Sequence, residues 1–501
     1  FGDPGNSVLR FGFSKIYDRI GNAMAVNFDL SNPMGFSSSE TIAANTYNVT
    51  DNVAPMFTGY DQNVRALPGL DPVESISFPL TVPADEAQRI ETSLDDTLIT
   101  PSSYSWNASW GRELPGGLYF EASYVGRSGR NLMAQQDAVA MPNLLDPKSG
   151  MDWYGAAEEL AVQRDANVPW DQVETIPYFE NMFPYFTWLA GGGTATQNAA
   201  LFTFRDGYNI KDWTYLQLFL DDDGIYPNMF FQPQFAALNM WSTISKSDYH
   251  AAQFTVRERF SDSLTLDVNY SFSKSMDNAS GTQDVVNFSG ASFILNPYRP
   301  EDMYSRSDFD MHHMVNANWM WALPVGHGKS YMADISSFAD ALIGGWQFHG
   351  IFRFNTGMPE WNVFDAAQWA TNWNAQSNAV RLRNPGADPT KTGDAPNFWT
   401  DPQYAFQSYR NAYAGESGDR NVLNMSHYMT LDFGLSKVFR MPIEGHRIQF
   451  RWEVFNALNQ QYLGHIYGSR SSLGVSQDPH IGTAPADFGR ITSIQGSPRV
   501  M

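Results

Sequence analysis

The chain has 501 residues and no cysteine, and only 17% of its residues are charged whereas 15% are aromatic. Its 32 Lys and Arg residues face 53 Asp and Glu residues, which gives a net charge of −21. This charge argues against nucleic-acid binding, because a phosphate backbone selects basic surfaces. The lack of cysteine excludes disulfides, thiolate zinc sites and iron–sulfur clusters. No run of about 18 apolar residues is present, so a membrane-spanning helix is excluded, whereas spanning by β-strands is not.

Apolar and polar residues alternate with a period of two in many segments, which is typical of strands with one apolar and one polar face. The segments are about 7–12 residues long, and the longer ones have the length of tilted strands that cross a bilayer. In chain order, the predicted strands are residues 8–18, 104–110, 117–126, 249–260, 264–273, 311–322, 346–355, 429–436 and 448–454. A soluble β-sandwich also alternates, but strand length favours a membrane barrel.

The alternation predicts which side chains of two strands face lipid and which face inward. The lipid-facing residues are Leu264, Leu266, Val268 and Tyr270, together with Ile448, Phe450, Trp452 and Val454. The inward residues are Thr265, Asp267, Asn269, Gln449, Arg451 and Glu453. Rings near strand ends fit an interfacial aromatic girdle, and these are Tyr104, Trp110, Trp319, Trp321, Trp346 and Trp452.

The connections between the predicted strands alternate between short and long. The shorter ones are residues 112–116, 261–263, 323–345 and 440–445. The long loops are about 19–101, 127–248, 275–310, 357–426 and 458–497, and all five fall on one side. Short periplasmic turns and long outer loops are typical of outer-membrane barrels. We therefore predict an all-β fold, a transmembrane antiparallel barrel with about ten strands present, the last starting near Pro498.

The long loops are acidic, with a net charge of −9 between Asp18 and Asp96. Carboxylates of this kind bind Ca²⁺ in some proteins, and Asp221, Asp222 and Asp223 form the densest run. Apart from such a calcium ion we expect no cofactor. A solvated outer surface is the alternative explanation of the acidic residues. The charge also disfavours an anionic ligand unless Ca²⁺ bridges it.

Many aromatic residues lie in the loops, where they either pack or present a stacking surface to a ligand. The candidate ligand-binding rings are Trp153, Trp170, Tyr185, Trp188, Trp361 and Trp373. The loop at 127–248 is too long for a structureless connection. We predict that it forms a cap over the barrel mouth with an apolar cluster drawn from Trp153, Tyr178, Phe183, Tyr185, Phe186 and Trp188.

Catalytic patterns are weak, and we expect that the protein is not an enzyme. The sequence has no Gly-x-Ser-x-Gly elbow, and no pair of carboxylates has a spacing that fixes glycosidase geometry. His312 and His313 adjoin Asp308 and Asp310, but neighbouring strand residues point to opposite faces, so the two imidazoles are not expected to share a metal.

Several segments resemble the barrel of TonB-dependent outer-membrane receptors, and the Oar-like group in particular. They are residues 249–261, 270–277, 306–310, 323–326, 344–348, 450–459 and 488–492, in the family's order. The resemblance implies the C-terminal half of a barrel of about 22 strands that is closed by a plug. It also implies a location in the outer membrane of a Gram-negative-type bacterium and energy supplied through the TonB complex.

The sequence departs from that family at both ends. No plug, Ton box or N-terminal carboxypeptidase-like module precedes Phe1, and the last strand stops at Met501 without a terminal aromatic residue. We therefore expect a longer natural polypeptide, in which the missing N-terminal region contacts TonB. The function implied is binding and import of a nutrient such as an oligosaccharide, a peptide or an iron chelate. The alternatives are a structural or adhesive outer-membrane protein and, less well supported, a secreted β-rich carbohydrate-binding protein.

Overall fold

The computed structural model describes residues 7–18, 89–115, 117–187, 193–204, 213–223, 228–232, 234–260, 263–281, 293–360, 377–386, 390–392, 395–441, 443, 445–463, 482–491, 494–495 and 499–500. Among the helices within these ranges, none has the length and apolar character needed to cross a membrane.

The described elements are mostly strands. In chain order they are β1 (Ser7–Tyr17), β2 (Arg89–Leu94), β3 (Ser102–Leu114), β4 (Leu118–Asp137), α1 (Trp153–Asp165), α2 (Pro177–Met182), α3 (Ala195–Phe204), α4 (Trp213–Asp223), β5 (Phe235–Phe260), β6 (Leu264–Asp277), β7 (Phe293–Ile294), β8 (Ser305–Arg306), β9 (His313–Ala322), α5 (Ser337–Ile343), β10 (Trp346–Asn355), β11 (Pro359–Glu360), β12 (Val380–Arg381), β13 (Thr390–Thr392), β14 (Ala395–Asn397), α6 (Pro402–Phe406), β15 (Tyr409–Arg410), β16 (Leu423–Asn424), β17 (Tyr428–Arg440), β18 (Arg447–Val454), β19 (Tyr462–Leu463) and β20 (Ile494–Gln495).

Nine long strands form one sheet in the order β1-β3-β4-β5-β6-β9-β10-β17-β18, and each is antiparallel to the next. The predicted consecutive antiparallel strands are therefore confirmed. Beside β18, Val500 makes an antiparallel bridge to Phe455, with N–H to O distances of 2.8 and 3.2 Å. This bridge lies where the tenth strand is predicted. In the described part of the chain, β1 and β18 are opposite edges and do not pair with each other.

The register places the apolar sets of all nine strands on the same face of the sheet. One row of paired residues runs through eight strands, as Leu9, Trp110, Ala122, Phe254, Tyr270, Val315, Phe354 and Met429. Directly paired residues point to the same side, so the predicted apolar faces of β6 and β18 share it. Large rings on this face are exposed, for example Phe11 at 78% and Phe450 at 49%. Val454 is the exception, because the end of β18 is buried.

The opposite face is polar and its side chains bond to one another across strands. Arg257 Nε lies 2.9 Å from Asp267 Oδ2, and Thr255 Oγ1 donates to Asn269 Oδ1 over 2.9 Å. Arg10 similarly approaches Glu121 at 3.8 Å. The predicted inward residues of β6 and β18 lie on this face, so the sheet separates an apolar side from a hydrogen-bonded polar side.

A charge introduced on the apolar face is expected to be far more destabilising than the same charge on the polar face. Val268 is paired with Val256 and Ala317, so Val268→Arg should reduce the free energy of unfolding in lipid by about 2–4 kcal/mol near the midplane. Leu266→Arg should cost less, because Glu258 lies directly opposite Leu266 and can pair with the new cation. Urea unfolding in phospholipid vesicles, followed by tryptophan fluorescence, measures the difference.

Thr265→Arg is the matched control, since Thr265 is exposed on the polar face of the same strand. It should change stability by less than either apolar-face variant. Equal effects at Thr265 and Val268 would show that the assignment of the two faces is wrong.

Strands β4 and β5 are longer than predicted, so the ends of the segment predicted as the outer loop at 127–248 lie in these strands. Their pairing continues beyond Gly126 to the Asp137–Asn239 pair, with register shifts around Leu132. In this outer part β2 pairs with β5 and β7 with β4, both in parallel. Gln135 and Asp137 are buried there as deeply as the apolar residues. Both faces of β4 and β5 are covered in this outer part. Its sequence therefore lacks the apolar–polar alternation from which a strand is predicted.

The chain between β4 and β5 forms a helical cap, made of α1–α4 and the segment 228–232, at the long-loop end of the sheet. Its interior is an apolar cluster in which Trp153 stacks edge-on against Phe230 at 5.0 Å and Trp213 at 6.4 Å. Of the six predicted cluster residues, Trp153, Tyr178, Phe183 and Phe186 are buried in it. The prediction is wrong for Tyr185, which is 72% exposed, and Trp188 lies outside the described residues.

The start of the cap is held by two carboxylates. Asp152 caps α1 by accepting the N–H of Gly155 over 2.8 Å. Asp146 is buried, which opposes ionisation, but it accepts hydrogen bonds from Ser149, from Asn181 at 2.7 Å and from two backbone N–H groups. These bonds outweigh desolvation and lower the pKa of Asp146 to about 2. An ionised Asp146 therefore fastens the segment before α1 to α2 at neutral pH.

Candidate functional site: a cavity among the long loops

Three segments at the long-loop end meet at one buried guanidinium. Arg420 Nη2 donates to Asp277 Oδ1 over 2.8 Å and to Asp308 Oδ1 over 2.9 Å, and it also contacts Ser280. Arg420 Nη1 donates to the backbone carbonyl of Asp277 over 3.2 Å. The side chains of Arg420 and Asp277 are both only 3% exposed. We call Arg420, Asp277 and Asp308 the arginine clasp, since they join the end of β6 to two later loops.

The arginine clasp continues through the motif at 306–310. Arg306 Nε pairs with Asp310 Oδ2 at 2.8 Å, and its Nη1 donates to Asn424 Oδ1 over 2.6 Å. Asn421 Nδ2 donates to Asp308 Oδ1 over 2.7 Å. The segment 420–424 is therefore fixed from two sides. A rigid segment of this kind is suited to form the wall of a binding site.

The two adjacent histidines have different partners, as predicted from their positions on a strand. His312 Nε2 lies 3.0 Å from Asp310 Oδ2, whereas His313 Nδ1 lies 2.9 Å from the hydroxyl of Tyr270. Their side chains thus do not converge on one point, and this part of the chain is a strand-end polar cluster.

A cavity of about 560 Å³ lies next to the segment 422–427, beyond the start of β17 and the end of β18. Its volume falls in the range of small-molecule sites, roughly 300–1,000 Å³. The polar lining includes Arg381 on β12, Asn384, Asn424 on β16, His427, Gln460 and Gln461. Phe398, Leu423 and Tyr462 supply apolar surface. We call this space the loop cavity.

The floor of the loop cavity rests on a second apolar cluster. Trp399 and Phe488 stack at 4.6 Å with an interplanar angle of 9°, and Phe398 meets Trp399 edge-on at 5.3 Å. Burial raises the pKa of the Tyr409 phenol in this cluster and also that of Tyr462 in the lining. Both phenols are therefore neutral at neutral pH, and the only charges of the lining are cationic.

Three of the six predicted ligand-binding rings, Trp153, Trp170 and Tyr185, lie in the described part of the chain, and they do not form a shared stacking surface. Trp153 is 1% exposed inside the helical cap, so the structure corrects this prediction: its ring packs and presents no stacking face. Trp170 is partly buried against the same cluster, and Tyr185 is exposed on the cap surface. Trp188, Trp361 and Trp373 lie outside the described residues.

Of the three predicted calcium ligands, Asp221 is the one whose side chain is described. The carboxylate of Asp221 accepts the backbone N–H groups of Phe230 and Phe231 over 2.6 and 3.3 Å, so it fastens α4 to the following segment. The side chains of Asp222 and Asp223 lie outside the described part. No group of three or more His, Cys, Asp or Glu residues suited to a metal ion occurs where the chain is described.

The sequence did not predict that Arg420, Arg381 and the amide side chains around the loop cavity belong to the candidate site. Arg420 meets Asp277 and Asp308 across separations of 143 and 112 residues, so nothing near it in the sequence points to these partners. A signal does exist for Arg381, because Arg381 and Arg383 stand close together in a loop of an otherwise acidic chain.

The comparison with protein families gives a match over almost the whole chain. A family model described as "Outer membrane beta barrel domain" matches residues 2–501. No curated protein matches the sequence.

Proposed function

This chain belongs to the outer membrane beta barrel domain family, and from that premise we propose that it is a receptor that captures a small nutrient molecule and imports it. Its location is the outer membrane, where the apolar face of the sheet suits contact with lipid. The long loops then lie outside the cell, because barrels of this class have short periplasmic turns and longer extracellular loops.

The main support for capture is the loop cavity. Its volume of about 560 Å³ is that of a small-molecule site, and its lining combines apolar surface with polar groups such as Arg381, Asn424 and Gln460. The arginine clasp and the cluster under the cavity hold its walls in place before a ligand arrives, which reduces the entropy lost on binding. Oligosaccharides, peptides and iron chelates are the ligand classes that we propose.

Energised import through the TonB complex is the finer part of the proposal. It rests on the resemblance of segments such as 249–261 and 450–459 to TonB-dependent receptors of the Oar-like group. We also propose that the protein is not an enzyme and that the ligand passes unchanged.

Uptake by whole cells tests this function. Cells that express the protein should accumulate a labelled tripeptide or a labelled oligogalacturonide faster than cells that lack it. An uncoupler of the inner-membrane proton gradient should abolish the difference. If the purified protein binds one of these probes but uptake is the same with and without the protein, import is wrong and an adhesive or structural role is favoured.

A further inference from the structure

We propose that the loop cavity binds the carboxylate of a small ligand and that Arg381 is the residue that recognises this group. The inference rests on the proposed function, since it names the chemical class of the captured ligand. It differs from the expectation drawn from the acidic composition, which disfavours anions.

The charge of the loop cavity is opposite to that of the chain. None of its fifteen lining residues is Asp or Glu, although the chain has 53 such residues and only 32 Lys and Arg. Arg381 gives the lining a permanent positive charge, and His427 is a further nitrogen donor in its protonated form. A cleft lined by one sign of charge concentrates ligands of the other sign. An anionic group is therefore attracted to this place even on an acidic protein.

The guanidinium of Arg381 is available for a ligand, unlike those of the neighbouring arginines. Arg410 makes two bonds of 2.6 and 2.9 Å to Glu416, and Arg420 is held in the arginine clasp. Arg383 stacks over the Tyr404 ring at 4.2 Å and donates to Ser408. Arg381 is exposed, and no ion pair joins it to a described carboxylate.

The backbone around Arg381 is fixed while its side chain remains available. Asp419 Oδ2 accepts the backbone N–H of Arg381 over 2.6 Å, and the strand pair β12–β15 holds the same residue. A guanidinium on a fixed backbone can bind a carboxylate through two parallel hydrogen bonds. The geometry of this position therefore suits recognition of a carboxylate.

The remaining polar lining residues are suited to hydrogen-bond the rest of a ligand that carries the carboxylate. The side-chain amides of Gln460 and Gln461 make no hydrogen bond to another described residue, and each offers two donors and an acceptor. Such amides bind the hydroxyls of sugars and the amides of peptides equally well. The shared ligand chemistry is thus a carboxylate on a hydroxyl- or amide-bearing small molecule, as in a sugar acid or a peptide C-terminus.

Calorimetric titration of the purified protein in detergent tests this assignment. The probes are digalacturonate and triglycine, each compared with the counterpart in which its carboxylates are neutralised, the dimethyl ester and the C-terminal amide. At least one acid should bind, and its neutral counterpart should bind about tenfold or more weakly, as expected for loss of a charge-assisted bond. Equal binding of an acid and its counterpart, or no binding of either acid at millimolar concentration, would contradict the proposal. The acid that binds identifies the source of the carboxylate.

Variants of the two neighbouring arginines give the matched control. Arg381→Gln should weaken binding of the acid by about tenfold, while Arg383→Gln should leave the affinity within about twofold, because Arg383 is engaged with Tyr404 and Ser408. Arg381→Lys should retain part of the affinity, because the positive charge remains but the two parallel hydrogen bonds of the guanidinium are lost. An unchanged affinity in Arg381→Gln would show that Arg381 is not the recognition residue.

Binding and uptake together separate this inference from the proposed function. An acid that binds through Arg381 but does not accumulate in cells would contradict import and leave the inference intact. Equal uptake of the acid and its neutral counterpart would support import and contradict the inference.

Discussion

Replacing Arg420 by methionine is expected to destabilise the long-loop end by about 3–5 kcal/mol. The change leaves Asp277 with a buried carboxylate and no counter-charge, because the side chain of Asp277 is only 3% exposed. Asp308 and Ser280 lose the same donor. Protease cleavage between β6 and β9 should become faster, whereas the barrel itself should still migrate as a folded, heat-modifiable species on gels.

Arg257→Met serves as the comparison for Arg420→Met. Arg257 also pairs with an aspartate at 2.9 Å, but its side chain is 59% exposed on the polar face of the sheet. An exposed pair contributes about 1 kcal/mol or less, so loop proteolysis should be unchanged. Similar loop cleavage in both variants would mean that burial of the arginine clasp does not determine its contribution.

Truncating Trp153 to alanine should reduce the stability of the helical cap by about 3–5 kcal/mol. The ring is 1% exposed and packs against Phe230, Phe179 and Trp213, so its removal leaves a cavity at the centre of the cluster. Limited proteolysis of the membrane-embedded protein, with sites mapped between 152 and 213, measures the effect. Cleavage in this segment should be slow in the native protein and rapid in the variant.

Tyr185→Ala is the control for the cap, because Tyr185 is 72% exposed although it belongs to the same aromatic-rich segment. Exposed positions usually change stability by no more than about 0.5 kcal/mol. Rapid cleavage of the native cap would instead show that its helices are not packed as described.

The strands of the sheet could be predicted from sequence because each separates two different environments. The predicted segment 346–355 coincides with β10, and the segment 8–18 differs from β1 by one residue at each end. Where both faces are covered by other loops, as in the outer part of β4 and β5, the periodic pattern disappears. Local sequence then no longer defines where a strand ends.

The helices of the cap were not predicted for a related reason. In α1 the buried face carries Arg164 and several alanines beside Trp153 and Leu160, whereas Val162 is exposed, so apolar and polar residues are not cleanly separated between the two faces. A helix of this kind lacks the strong amphipathic pattern on which prediction depends. The cluster itself could be predicted from the density of rings alone.

The residues of the candidate site were even harder to predict from the local sequence than the helices of the cap. The arginine clasp and the loop cavity bring together residues from several separate segments, and only the motif at 306–310 and the two arginines at 381 and 383 stand out in the sequence. The chemical groups that pair an arginine with a carboxylate are the same at any separation along the chain, so the sequence around Arg420 does not identify its partners. The choice of partner is therefore made by the fold.

The long separation between the members of the arginine clasp has a consequence for the order of folding. The β17–β18 hairpin closes between Arg440 and Arg447, seven residues apart, whereas the contact of Arg420 with Asp277 closes 143 residues. That difference is more than four doublings of loop length, or about 2.6 kcal/mol of additional chain entropy. The hairpins should therefore form first during insertion into the membrane. The extracellular part should close last, so its binding cavity exists only in molecules whose strands are already paired.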